Sequence, residues 1–342
     1  MHVLGGGSIG FLFAAAIQQA GVDDVTMLLR KHHKPRLVRK PSSWVAQVQV
    51  CRPSSSDHQA IQTSSWDVPV EIIGEAKDPI KCILICTKAN DAIPALTTVW
   101  DRLDDNAANV IILSNGALAI RDSIQRHFHD DLQNIQIITS TTTHGAYTKE
   151  VNINDDTNAG YCIVHAGDGL TYSTDNKFIN ACQRVGWHCG TLSEFEMNMM
   201  LWKKLAANCV INPLTAIHGV KNGHLLHLEN NDVTMTHILQ EVSSVATLEM
   251  ESSIQKLEDD MKIQLLRAIK RELSVDFLKK FVTKVMTDTA ENVSSMLQDV
   301  NANKTTEVRF LNGYVARLGN EKYNIDCKWN EDMCNKVEDI MS

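Results

Sequence analysis

Three observations predict an α/β fold joined to an all-helical second domain. A glycine-rich turn, GGGSIG, stands directly between a short strand, HVL, and an apolar helix, FLFAAAIQQAG. Apolar segments of strand length, such as KCILICTK and NVIILSNGAL, recur through the first half of the chain. From about residue 195 onward apolar residues recur at helical spacing and strand patterns all but vanish.

The order begins with strand, turn, helix and strand over residues 2–30. Gly5-Gly6-Gly7-Ser8-Ile9-Gly10 fits G-x-G-x-x-G in the flanking context that the motif requires. Gly5 would make the tight turn, Gly7 would let a pyrophosphate approach the backbone, and Gly10 would allow close helix–strand packing. The phosphates would rest on the helix N-terminus. A tight strand–helix turn without a ligand is the alternative, and the correct flanks weigh against it. The first half therefore reads as a Rossmann-type dinucleotide-binding domain, residues 1–195, followed by a helical substrate and catalytic domain, residues 196–342.

The second strand bears on which dinucleotide. An NAD-binding chain carries Asp or Glu about 20 residues beyond the glycines. Here that position is Arg30, followed by Lys31, Lys34 and Arg36. A guanidinium can clasp a 2′-phosphate that a carboxylate would repel, so NADP(H) is the expected cofactor; a solvated basic loop is the alternative. Residues 40–70, Ser- and Pro-rich around VAQVQV, read as a peripheral hairpin or loop. KCILICTK is a buried strand ending in Lys88, where ligands bind in open α/β sheets. Cys82 and Cys86 on that strand read as core cysteines rather than a metal pair, and no metal site is visible. Residues 91–103 read as a helix. The next two strands end in Asn115-Gly116 and in Thr142, Thr143 and His144, polar residues expected near the cofactor. Residues 150–160 read as a turn.

The second half is predicted as helices over 195–217, 232–256, 263–272, 276–300, 304–318 and 328–341. Within LWKKLAANCVINPLTAIHGVKN, Lys204, Asn208 and Asn212 recur in steps of four, drifting by only about 40° per step, so they share one face of an otherwise apolar helix. Buried amides need partners and a desolvated lysine shifts its pKa or finds a counter-charge, so this stripe is a site candidate. Ser294 and Ser295 are expected inside a helix. Glu307 is expected to open the next one behind Thr305 as N-cap, a place that the helix dipole alone would favour for a carboxylate.

The totals exclude other classes. Hydrophobic and charged fractions of 44% and 22% are those of an ordinary globular protein. A net charge of −8 without a long basic block argues against nucleic acid or a membrane surface as partner. Nine scattered cysteines suit a reducing compartment, and residues 9–17 are too short an apolar run to span a bilayer. No leader is expected, because the fold begins at residue 2, and the expected address is cytoplasmic. The first strand is shorter than usual, as an abridged start would make it. A homodimer stays open.

GGGSIG, CTKAND, SNGA, TTTHGA, WKKLAANCVINPLTAI, ENVSSMLQD and TTEVRFLNG, in order over about residues 2–335, resemble the ketopantoate reductase (2-dehydropantoate 2-reductase) family. The resemblance implies NADPH-dependent reduction of 2-dehydropantoate to pantoate, a step of pantothenate and coenzyme A biosynthesis. It places the catalytic lysine at Lys204 and its carboxylate partner at Glu307. Substrate-binding residues fall at Asn208, Asn212, Asn222 and Ser295, and Asn115 between nicotinamide and substrate. Cofactor contacts fall at Gly5, Gly6, Gly7, Ser8, Ile9, Gly10, Arg30, Lys88, Asn115 and Glu307. Where the family often has PNG this chain has Lys221-Asn222-Gly223, and the 40–70 and 150–160 stretches are longer than usual. A related reductase of another 2-oxo or 2-hydroxy acid, or a non-catalytic NADPH sensor, are the competing readings.

Overall fold

A computed structural model describes the chain except residues 22–23, 41–42, 54–60, 76–77, 105–106 and 150–160. The turn expected over 150–160 lies outside the described residues. Two compact units divide the chain, Met1–Ser193 and Glu194–Ser342.

The first unit holds strands β1 (His2–Leu4), β2 (Thr26–Leu29), β3 (Val38–Arg39), β4 (Trp44–Pro53), β5 (Ile61–Ile72) and β6 (Cys82–Ile85). It continues with β7 (Ala108–Ile112), β8 (Ile135–Thr142), β9 (Ala146–Lys149), β10 (Tyr161–Ala166), β11 (Leu170–Ser173) and β12 (His188–Thr191). Its helices are α1 (Ser8–Ala20), α2 (Ala89–Thr97), α3 (Ala117–His127) and α4 (Asn176–Arg184). Six strands run parallel in the spatial order β5-β2-β1-β6-β7-β8. Numbered among themselves along the chain they read 3-2-1-4-5-6, the order of the doubly wound dinucleotide fold. Val3, Leu28, Ile83, Leu84, Val110 and Ile111 on these strands are fully buried, which is why they read as continuous apolar runs rather than alternating ones.

The strands within 40–70, β4 and β5, are not peripheral. β4 and β5 form a long antiparallel ladder, and β5 pairs in parallel with β2, so the hairpin extends the main sheet. β10 and β9 continue it beyond β4. The helix expected over 91–103 is shorter: α2 ends at Thr97 and a single 3₁₀ turn, Trp100–Arg102, follows.

The second unit is helical: α5 (Glu194–His218), α6 (Asn231–Ser253), α7 (Asp259–Glu272), α8 (Val275–Asp288), α9 (Ser295–Asn301), α10 (Asn312–Leu318) and α11 (Lys328–Asp339). The helix expected over 276–300 is two. α8 ends at Asp288, and Ser294 is not inside a helix but caps α9, its hydroxyl accepting from the Leu297 amide at 3.1 Å. The helix expected over 304–318 is likewise a 3₁₀ turn, Val308–Phe310, and then α10; Glu307 precedes that turn and Thr305 caps nothing. Among the described residues, no helix is long and apolar enough to cross a membrane.

Candidate active site

The first unit forms a cradle at the switch point of its sheet, where β1 lies between β2 and β6. Gly5 takes φ +125, and a Cβ there would stand 2.8 Å from the Cys86 carbonyl carbon. At Gly10 a Cβ would stand 2.1 Å from the Gly5 oxygen, so the turn closes against the helix only through glycine. Around Gly7 the space is open to 4 Å, the property that a pyrophosphate approach requires. Gly7 also precedes α1 with no side-chain cap and no acidic residue in the first turn. The amides of Ser8, Ile9 and Gly10 begin that turn, and the positive end of the helix could take an anion there without competition from a side chain.

A cavity of about 320 Å³ adjoins this turn, lined among others by Gly5, Gly6, Gly7, Arg30, His33 and Lys88. Thr87 and Asp91 also line it. The Arg30 guanidinium lies 3.4 Å from the Asp91 carboxylate, both more than half exposed. Arg30 is thus at the cavity, in company with an acid that the sequence reading did not weigh. A Cβ on Gly6 would meet the His33 ring at 2.9 Å, a side chain that can give way, so Gly6 is less constrained than Gly5, whose neighbours are backbone. Ser114 donates to the Thr87 carbonyl at 2.6 Å and ties the ends of β6 and β7 together beside Lys88.

Other expected contacts do not line that cavity. Asn115, half-buried before the left-handed Gly116, is not among the residues lining that cavity. Neither are Thr142, Thr143 and His144. The Thr143 hydroxyl accepts from the Leu170 amide at 2.8 Å, and Thr142 meets Thr171 at 3.2 Å. His144 is buried against Phe13 and Trp187. The end of β8 is consumed by its antiparallel pairing with β11, which is why its polar residues do not face the cofactor cradle. All nine cysteines are free thiols, and burial pushes the Cys86 thiol well up. Among the described residues, no cluster of His, Cys, Asp or Glu is placed to hold a metal ion.

In the second unit α5 carries the polar stripe. Lys204 and Asn208 are half-buried and Asn212 is buried. The adjacent Lys203 is occupied structurally: its ammonium lies 2.8 Å from Glu272 and above the Phe277 ring at 5.9 Å. Lys204 is different. Burial lowers its ammonium to about 8, and the Glu307 carboxylate, itself 7% exposed, pulls the other way. An ammonium near neutrality held beside a buried carboxylate is a proton donor that can be reloaded at physiological pH.

Around it the helices are locked. Pro213 inside α5 has no N–H for the Cys209 carbonyl, and the Asn312 amide donates to that oxygen at 2.8 Å instead. Asn312 also donates to Asn330 at 3.0 Å, and Asn330 in turn is held by Glu241 through its backbone and side-chain N–H groups at 2.9 and 2.8 Å. Thr215 meets Ser294 at 2.6 Å, pinning the start of α9 to α5. Ser295, the next residue, is exposed at the first position of α9. Asn222 opens a 3₁₀ turn and donates to Thr289 at 2.9 Å, while its Oδ1 is buried without a partner among the described residues. The Lys221-Asn222-Gly223 loop packs tightly; a Cβ on Gly223 would meet Ala290 at 2.6 Å.

A glycine cradle on a 3-2-1-4-5-6 sheet and a helical unit with a desolvated lysine define a Rossmann-type dinucleotide-binding protein with a helical C-terminal domain. The family described as ketopantoate reductase PanE/ApbA matches residues 1–172, and its C-terminal counterpart matches residues 196–340. The chain belongs to the ketopantoate reductase family. A 2-dehydropantoate 2-reductase of Vibrio cholerae serotype O1 is 28% identical over 325 residues, spanning 93% of this chain and 90% of its own length. A solved ketopantoate reductase from Ralstonia eutropha JMP134 shares the fold at a TM-score of 0.68 and 21% identity, over 100% of this chain and 98% of that one. So does a D-mandelate dehydrogenase solved with NADH and anilino(oxo)acetate, at a TM-score of 0.67 and 17% identity, over 100% and 98%.

Proposed function

We propose that this chain is an NADPH-dependent 2-dehydropantoate 2-reductase, forming pantoate for pantothenate and coenzyme A biosynthesis. The observation that carries the reading is Lys204, lowered to about 8 by burial and opposed by Glu307 on the helical unit. The family match and the name of the Vibrio cholerae relative support it.

Reduction of a 2-oxo acid adds a hydride to the carbonyl carbon and a proton to its oxygen. NADPH, when bound, supplies the hydride. The open space at Gly7 and the uncapped start of α1 fit its pyrophosphate. Arg30 would take the 2′-phosphate; its exposed pair with Asp91 is cheap to open, because solvated ion pairs contribute about 0–1 kcal/mol. The Lys204 ammonium attracts the negative charge growing on the substrate oxygen more strongly than the ground-state carbonyl, then transfers a proton to it. The neutral amine left behind is reprotonated from water, since its pKa of about 8 lies above neutrality. Glu307 holds the lysine charged. Asn208 and Asn212, one and two turns along, hydrogen-bond the keto and hydroxyl groups. The unpartnered Asn222 Oδ1 accepts a substrate hydroxyl, and Ser295 at the start of α9 receives the carboxylate.

A second reading, reduction of another 2-oxo acid with NADH, is favoured by Asp91 beside Arg30 in the cofactor cavity. The test is oxidation of NADPH and of NADH by purified protein with 2-dehydropantoate, pyruvate and 2-oxoisovalerate. Turnover restricted to NADPH and 2-dehydropantoate supports the proposal; preference for another oxo acid or for NADH moves the chain to the second reading. Binding of NADPH without turnover on any of them leaves a sensor.

A further inference from the structure

The long β4–β5 hairpin has no part in the chemistry above, yet it walls a second cavity, of about 330 Å³, which is lined by α1 from Leu12 to Gln19 and by none of the glycines of the turn. The ladder register explains its lining. Val48 lies opposite Trp66, Val50 opposite Ser64 and Arg52 opposite Gln62, so these pairs project from one face of the hairpin. That face is apolar near the core, at Val48 and Val50, and turns polar toward Arg52 and Gln62. Opposite it α1 presents Leu12, Ala15, Ala16 and Gln19. Two alanines facing the hairpin are too small to fill the gap, which is where the cavity comes from.

Arg52 is the unusual group in it. Its guanidinium sits 4.6 Å above the Trp187 ring, and no acceptor among the described residues takes a hydrogen bond from it. Burial lowers its pKa, with Asp168 pulling the other way, so the charge is partly withdrawn from water. Trp187 is a fixed platform: it is 8% exposed, with Phe13 edge-on at 4.9 Å and His144 at 4.5 Å behind it. An arginine stacked on a rigid indole keeps the N–H donors of its edge in a planar fork, the geometry that matches a carboxylate bidentately. Trp66 and the edge of Val50 supply apolar surface for a flat ring within the same space.

We propose that the cavity between α1 and the β4–β5 hairpin is a second small-molecule site, which takes a planar aromatic carboxylate. The carboxylate pairs with the Arg52 fork and the ring lies against Trp66 and the α1 face. Its volume suits a ligand of one or two fused rings, at the small end of natural pockets. The site is separate from the cofactor cradle, so the two ligands bind together.

The test is calorimetric titration of the full chain with 2-naphthoate, with its neutral analogue 2-naphthalenemethanol alongside, each without NADPH and with NADPH at saturation. The expected result is one 2-naphthoate per chain, at least about tenfold tighter than the neutral analogue and unaffected by NADPH. Arg52→Met should remove that tenfold preference while melting temperature and NADPH affinity stay as in the parent. Should Arg52→Met fail to fold, Ser64→Trp, which fills the cavity from the hairpin, should abolish 2-naphthoate binding instead. No binding, binding that NADPH displaces, equal affinity for the neutral analogue, a preference that survives in Arg52→Met, or binding that Ser64→Trp leaves unchanged would overturn the proposal.

Discussion

Asn312 donates to the Cys209 carbonyl at 2.8 Å, satisfying the oxygen that Pro213 leaves without its helical partner. Asn312 is fully buried and its own Oδ1 has no partner among the described residues, so what it contributes comes from the donors of its amide. Lys204, Asn208 and Asn212 ride on that helix. Replacing Asn312 with Ala leaves both the Cys209 carbonyl oxygen and the Asn330 Oδ1 without the donor they share, and should cost about 1–3 kcal/mol in urea denaturation. Pro213→Ala returns the missing N–H, so the same Asn312 change should cost less in that background. Equal costs in both backgrounds would show that Asn312 does not act through Cys209.

The pH dependence follows from Lys204. Its pKa is lowered to about 8, and on the proposed mechanism the protonated form is the donor. Turnover at saturating NADPH should therefore be level below about pH 7 and fall as pH rises through about 8. Glu307 raises that pKa, so Glu307→Gln should move the alkaline limb to lower pH. A limb that stays in place or moves up contradicts the pairing.

Glycine positions separate folding from cofactor binding. A Cβ at Gly10 collides with the Gly5 carbonyl at 2.1 Å, so Gly10→Ala should disrupt the turn itself and lower the melting temperature. A Cβ at Gly7 meets nothing in the protein within 4 Å. Gly7→Ala should leave the melting temperature unchanged and weaken NADPH binding by at least about tenfold in equilibrium titration, because the methyl occupies space meant for the pyrophosphate.

On the proposed reading, Arg30 selects NADPH and Asp91 opposes it. Arg30→Ala should weaken NADPH binding by about tenfold and leave NADH binding nearly unchanged, since only NADPH carries the 2′-phosphate. Asp91→Asn removes the competing carboxylate at 3.4 Å and should tighten NADPH selectively. Parallel loss of both dinucleotides in Arg30→Ala would assign Arg30 to the shared part of the cofactor.

The parts legible in the sequence were those written in local periodicity. The glycine turn, the buried parallel strands and the four-residue recurrence of Lys204, Asn208 and Asn212 all depend on neighbours in the chain. What depended on distant partners was missed. VAQVQV announced a strand, but nothing local places β5 beside β2. His144 ended a strand in the expected way, yet β11 claims that strand end and turns the ring onto Trp187. Ser294 was read as helix interior because apolar spacing runs on past residue 288, although the Thr, Asn and Ser cluster before Met296 is a cap signal. Asn312 had a readable cue as well. A proline inside a long buried helix leaves a carbonyl that must find a donor, and asparagine in FLNG was available to supply it.

On the proposed mechanism, Lys204 donates the proton in NADPH-dependent reduction of 2-dehydropantoate. The direct test is the rate of NADPH oxidation with 2-dehydropantoate for the parent and for Lys204→Ala, with NADPH affinity measured in parallel. Turnover should fall by about 10²–10⁴-fold, the range for loss of a general acid, with NADPH affinity within about twofold of the parent. Turnover of Lys204→Ala equal to that of the parent would contradict the claim.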